Sequence, residues 1–196
     1  MLDKTVPYFD VLMHKKRGIP VPRFALPPGF AFSFFQPGDE KSWAKIEASV
    51  LEFSDELDAL MYFQKDYLPF ALELERRCLF VENPEGEKIA TSSAWWNYTG
   101  QRRDPWLHWV AVEPRYQNLG LGKALISKIT QVMVEIEGDR DFYLHTQTWS
   151  HKAIKIYEKM GYAITAEKNL NGYANENYAK AMEVLSKVYA KRDILP

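Results

Sequence analysis

Cysteine is almost missing from this chain: Cys78 stands alone among 196 residues, so no intrachain disulfide can form and a disulfide-stapled secreted scaffold is excluded. Folding at this length buries roughly 70% of the surface of the unfolded chain, so the core needs no staple. Long apolar runs are missing too. The opening Met1-Leu2-Asp3-Lys4 carries no secretory pattern, and the expectation is a soluble protein of the cytoplasm with no membrane partner. No sign of charge predominates: 25 Lys and Arg against 26 Asp and Glu leave a net charge of −1, which gives nucleic acid no global field to follow. The basic run Lys15-Lys16-Arg17 is too short to address RNA or a lipid surface. His14, His145 and His151 lie outside any Cys-x-x-Cys or His-Glu-x-x-His spacing, so no metal site is expected. Internal repeats and low-complexity tracts are absent.

What charge there is lies unevenly. Residues 1–30 carry five basic and two acidic groups, residues 31–90 six basic and thirteen acidic, and the remainder fourteen and eleven. Five prolines in residues 1–30 break any long element there, so this stretch reads as an N-terminal arm, with a short helix suggested by Tyr8, Leu12 and Lys15. Residues 31–168 read as one domain. It comprises a strand at Ala31–Phe35, helices at about Ser42–Leu51 and Ser54–Lys65 with Ser42 and Ser54 as caps, and a hairpin of Cys78–Glu82 with Lys88–Tyr98. Cys78 reads as a buried strand residue, not a nucleophile.

The apolar run Trp106–Val112 fits a central strand, broken only by His108. Leu121, Leu125, Ile129, Val132 and Ile136 then recur on a 3.6-residue period and predict a long amphipathic helix. A strand at Phe142–Trp149, a helix capped by Ser150 and closed by Gly161, and a strand at Tyr162–Glu167 complete the domain. Residues 169–196 are expected to hold a last helix, about Asn177–Ala190, with Tyr178, Met182, Leu185 and Tyr189 on one stripe. The order predicts an α/β fold, a mixed sheet flanked by helices.

The chemistry concentrates between the central strand and the long helix. Gly120 and Gly122 strip side chains from a helix start, where four backbone N–H groups lack intrahelical partners. Those donors and the positive end of the helix dipole form an anion site, and no Asp or Glu occurs from Gln117 to Lys123 to compete with a bound anion. A P-loop does not fit: Gln117 occupies the position of its first Gly, and Ala124 follows Lys123. A dinucleotide fingerprint does not fit either, since Leu125 occupies the third glycine position.

Gln117-x-x-Gly120-x-Gly122, following Val110-Ala111-Val112-x-Pro114, resembles the pyrophosphate signature of the GNAT superfamily of acyl-CoA-dependent N-acetyltransferases. Ala153, Ile154, Tyr157, Glu158, Lys159, Gly161 and Tyr162 are similar to that family's next helix, and Ser150 stands where the family often carries Asn. The resemblance spans about Trp106 to Glu167 and leaves out the arm and the last helix. It implies a GNAT-like acyl-CoA N-acyltransferase fold, a central mixed sheet splayed between the strands ending near Val112 and Trp149. It also implies acetyl-CoA as co-substrate. Val110, Ala111 and Val112 would meet the pantetheine and the thioester carbonyl, and Gln117, Asn118, Leu119, Gly120, Leu121, Gly122 and Lys123 the pyrophosphate. Ser150, Ala153 and Tyr157 would complete the cofactor contacts, with Tyr157 protonating the departing thiolate.

An amine of lysine-like pKa exposes its lone pair at neutral pH at a cost of about 4–5 kcal/mol. His108 is the candidate general base, because strict alternation puts it on one face with Val110 and Val112; a hydrogen-bonded core histidine is the alternative. Trp95, Trp96 and Trp106 are candidates to seat a cationic acceptor. The expected function is acetyl transfer to a primary amine, small-molecule or peptide, by direct attack on the thioester. A non-catalytic acyl-CoA sensor or interaction module on the same fold is the alternative. The acceptor's identity, and the choice between monomer and homodimer, stay open.

Overall fold

The computed structural model describes residues 2–167 and 175–192. The expected domain boundary at residue 168 and the segments 169–174 and 193–196 therefore lie outside the described residues. Seven strands, β1 (Asp10–Lys15), β2 (Ala31–Phe34), β3 (Cys78–Glu82), β4 (Lys88–Thr99), β5 (Arg102–Val112), β6 (Phe142–Gln147) and β7 (Ala163–Ile164), form a mixed sheet in the order β2-β3-β4-β5-β6-β1-β7. Helices α1 (Glu40–Ser49), α2 (Glu56–Asp66), α3 (Ala71–Arg77), α4 (Leu121–Glu137), α5 (His151–Lys159) and α6 (Tyr178–Arg192) flank it. The chain divides into two compact units, Val21–Trp95 with Leu107–Gly138, and Met1–Pro20 with Trp96–Trp106 and Asp139–Pro196.

In the first of these units β2, β3 and β4 run antiparallel, with Phe34 opposite Leu79 and Cys78 opposite Ser93, and the Asn83-Pro84-Glu85-Gly86 turn joins β3 to β4. Trp43 and Ile46 of α1, Phe63 of α2, Leu74 of α3 and Leu79 and Phe80 of β3 are all sealed from solvent. The predicted stripe on α4 is there: Leu121, Leu125, Ile129 and Val132 are buried, and Ile136 is half-buried. α2 begins after Asp55, whose carboxylate accepts from the Asp58 N–H at 2.8 Å, so Asp55 supplies the cap expected of Ser54. Likewise α1 starts at Glu40, which puts Ser42 inside the helix. α3 has no counterpart in the sequence reading, because its seven residues are too few to display a period.

The second unit corrects the reading of the N-terminus. Tyr8, Leu12 and Lys15 do not line a helix. Asp10–Lys15 is a strand inserted between β6 and β7, with Leu12 opposite His145 and Met13 opposite both Leu144 and Ile164. Val11, Leu12 and Met13 are fully buried, a continuous apolar run that suits a strand covered on both faces and not a 3.6-residue stripe. The Lys15 ammonium is buried with them and donates to the Ile19 carbonyl. β6 ends at Gln147, and a single 3-10 turn, Thr148–Ser150, leads into α5; Ser150 holds the N-cap position without a side-chain cap bond. The predicted strand Tyr162–Glu167 shrinks to Ala163–Ile164. On α6 Ala181 and Leu185 face inward while Met182 is exposed, so the inward stripe runs through Ala181, not through Met182.

Candidate active site

At the end of β5 the chain passes from strand to turn to helix within ten residues. Gln117 folds back and donates from its amide nitrogen to the Val112 carbonyl at 2.9 Å, tying the turn to the strand it leaves. Asn118 (φ 65°) and Gly120 (φ 86°) both take left-handed backbone, which asparagine tolerates and glycine prefers. Gly120 is the N-cap of α4, which has neither a side-chain cap nor an acidic residue in its first turn. A Cβ at Gly120 would meet nothing within 4 Å. The space beside Gly120 is therefore open at the start of α4, where the first amides lack intrahelical partners and the dipole of a 17-residue helix points its positive end. Leu119 is exposed, and the Lys123 ammonium lies 4.9 Å from the centre of the Phe24 ring. Just upstream, the buried Glu113 carboxylate pairs with Arg115 at 2.9 Å and Lys45 at 3.4 Å.

Earlier on β5, Trp109 has φ 51°, a left-handed conformation that is rare for a bulky residue. The period-two alternation is interrupted there, so alternation no longer places His108 on one face with Val110 and Val112; all three are half-buried. His108 is held instead by a residue without any sequence signal. The Tyr67 hydroxyl, at the C-cap of α2, lies 2.5 Å from His108 Nδ1. Tyr67 is 2% exposed; burial, together with the nearby Tyr62, pushes its phenol well above the usual tyrosine range and keeps it protonated. Tyr67 packs against Trp95 with ring centres 4.6 Å apart, and Phe53, Tyr62 and Trp43 surround Trp109 at 5.1, 5.2 and 5.6 Å.

Of the three predicted acceptor tryptophans, Trp95 belongs to the first unit and Trp96 and Trp106 to the second. Trp95 is buried beneath Tyr67 and Phe70. In the other unit Trp96 is half-buried, with the chain's own Arg103 guanidinium 4.6 Å from its ring, and Trp106 is sealed into a core cluster with Leu12 and Tyr143. Tyr157 is 6% exposed on α5, its ring centre 6.3 Å from that of Tyr162, and Ala153 is half-buried one turn before it.

Acidic side chains with little exposure were also missed, Glu47 and Glu137 among them. Glu47 on α1 is 1% exposed, and burial followed by repulsion from Glu52 raises its carboxyl well above the usual range. Glu137 at the end of α4 pairs at 2.7 Å with the buried Arg77, which also donates to the Ala94 carbonyl at 3.0 Å. Cys78 is sealed in β3 with its thiol pushed up to about 12 by burial, which removes it as a nucleophile. His14, His145 and His151 each lie beside an aspartate, Asp141, Asp10 and Asp3. Among the described residues no group of three or more potential ligands is placed to hold a metal ion.

Residues 41–162, more than half of the chain, match the Acetyltransferase (GNAT) family, and the chain belongs to that family. A spermine/spermidine N(1)-acetyltransferase from Bacillus subtilis is 30% identical over 67 residues, which are 34% of this chain and 44% of that protein. A GCN5-related N-acetyltransferase from Sphaerobacter thermophilus superposes with a TM-score of 0.62 at 20% identity over 82% of this chain and 49% of its own. An acetyltransferase of the GNAT family from Colwellia psychrerythraea gives 0.59 at 11% identity over 81% and 54%. The matches thus span about half the length of each relative. At these identities the two structures establish the shared fold.

Proposed function

We propose that this chain transfers an acetyl group from acetyl-CoA to a primary amine. The supporting observation is the turn at Gly120: left-handed backbone, open space where a side chain would stand, and a long helix without cap or acid at its start. A diphosphate suits that end, because it supplies the acceptors and negative charge that the first amides of α4 lack. In this reading Gln117, Asn118, Leu119, Gly120, Leu121, Gly122 and Lys123 bind the pyrophosphate, and the main chain of Val110, Ala111 and Val112 binds the pantetheine amides and polarises the thioester carbonyl. Ser150 and Ala153 add contacts at the start of α5. Preorganised donors of this kind contribute about 3–4 kcal/mol to the transition state.

The neutral amine attacks the carbonyl carbon, the carbon–sulfur bond breaks, Tyr157 passes its hydroxyl proton to the departing thiolate, and the acylated nitrogen sheds its extra proton to solvent, from which the tyrosine is reprotonated. No covalent enzyme intermediate forms. His108 belongs to the acceptor side. As a base it would need a lone pair on Nε2, and the hydrogen bond of Tyr67 to Nδ1 weighs against that, so the ammonium proton goes to solvent before attack. Trp95, Trp96 and Trp106 act here as packing residues. A polyamine is the first acceptor to test, given the name of the Bacillus subtilis relative. A cytoplasmic setting fits the single sealed thiol, and neither nucleic acid, membrane nor metal enters the reading.

Calorimetry with acetyl-CoA, followed by transfer of labelled acetyl to spermidine, lysine and peptide amines, tests the proposal. Binding with transfer to an amine is expected. Tight binding with no transfer to any amine would leave a sensor, and no binding would remove both readings.

A further inference from the structure

The Tyr67 hydroxyl is sealed from solvent and lies 2.5 Å from His108 Nδ1. Its hydrogen needs an acceptor, because an unsatisfied buried donor is costly. The indole nitrogen of the neighbouring Trp109 is only a donor and can take none of the phenol's hydrogen. Among the described residues, His108 Nδ1 is the acceptor left for it. The phenol does not ionise to escape this arrangement: beside it lie Glu47 from α1, Tyr62 from α2 and Cys78 from β3, and each raises its pKa further.

A neutral imidazole whose Nδ1 accepts a hydrogen bond carries its own hydrogen on Nε2. We propose that Tyr67 is a positioning residue that locks His108 in the Nε2–H tautomer, so that His108 meets the acceptor side as a hydrogen-bond donor and not as a general base. The opposite tautomer would place an N–H against the phenol oxygen and leave the buried phenol hydrogen without a partner. Its population is lower by about ten-fold or more. His108 thus favours an acceptor carrying an oxygen or second nitrogen lone pair near the reacting amine. The tautomer follows from hydrogen bonding alone; its catalytic meaning rests on the acetyltransferase reading.

Side-chain nitrogen NMR of the whole protein, above the pH at which His108 titrates, reads the tautomer without any activity. In the wild type the hydrogen is expected on Nε2, and Tyr67→Phe is expected to remove the bias while keeping a cooperative thermal transition. A wild-type hydrogen on Nδ1 overturns the proposal. The kinetic arm compares His108 variants. His108→Gln, which keeps an N–H donor and cannot take a proton, should recover about ten-fold of the kcat lost in His108→Ala, with the KM for acetyl-CoA within about two-fold. Equal losses in the two variants, together with disappearance of an acid limb from the pH profile, would restore the base role and overturn the donor role. An Nε2–H spectrum in a protein that transfers no acetyl group removes the acetyltransferase reading and keeps the tautomer lock. Transfer with an Nδ1–H spectrum does the reverse.

Discussion

Two regions of one compact unit are built on opposite principles. The turn from Gln117 to Gly122 is exposed over Asn118–Gly120 and made of backbone, and its shape depends on left-handed conformation at Asn118 and Gly120 and on the side-chain bond of Gln117 to Val112. The group around Glu47, Tyr67, Arg77 and His108 is made of side chains from α1, the end of α2, α3 and β5, largely buried, and Tyr67, Arg77 and His108 each depend on a partner brought from elsewhere. In the first region water can replace whatever leaves. In the second, removing one group strands another, so the same kind of change costs stability there and function in the turn.

The largest effect should come from the buried group. Arg77→Ala leaves Glu137, with a side chain 7% exposed, without its 2.7 Å partner, and should cost about 3–5 kcal/mol in denaturant unfolding. A loss below about 1 kcal/mol would mean that water reaches the carboxylate. Gly120→Glu should weaken acetyl-CoA binding by at least about 100-fold in calorimetry, since it places a negative side chain in the proposed anion site. Unchanged affinity would count against the site itself. Gly120→Ala is the finer probe: with open space around the new Cβ, the penalty is the left-handed backbone alone, about 1–2 kcal/mol by thermal unfolding.

Glu47→Gln is the smallest. The carboxyl of Glu47 is raised in the folded state, so its contribution is fully present below the unfolded pKa of 4.5 and is lost as pH rises through the folded value. The variant should match the wild type in acid and exceed it in alkali by a few degrees in Tm, about 2–4 °C per kcal/mol. A pH-independent difference would show that Glu47 does not titrate as the burial demands.

Legibility followed the same division. The turn was readable because its signals are local: glycine spacing, absence of acid, and an apolar stripe from Leu121 to Val132 that lies buried as expected. The hairpin of β3 and β4 was readable from the turn residues Asn83 to Gly86. The strand Asp10–Lys15 was not, because its pairing with β6 joins residues more than a hundred positions apart and three adjacent apolar residues carry no period. His108 was found by residue type, yet its partner was not: nothing around Tyr67 in sequence marks it, and nothing marks Trp109 as left-handed.

The sequence by itself determined the family, the order of most elements and the glycine turn before α4, because each rests on contacts between residues a few positions apart. The tertiary structure alone decided which hydroxyl holds the His108 ring, which acids are buried, and where the first strand is inserted. Those depend on long-range packing, where the energy of a hydrogen bond or a charge is set by what excludes the water around it.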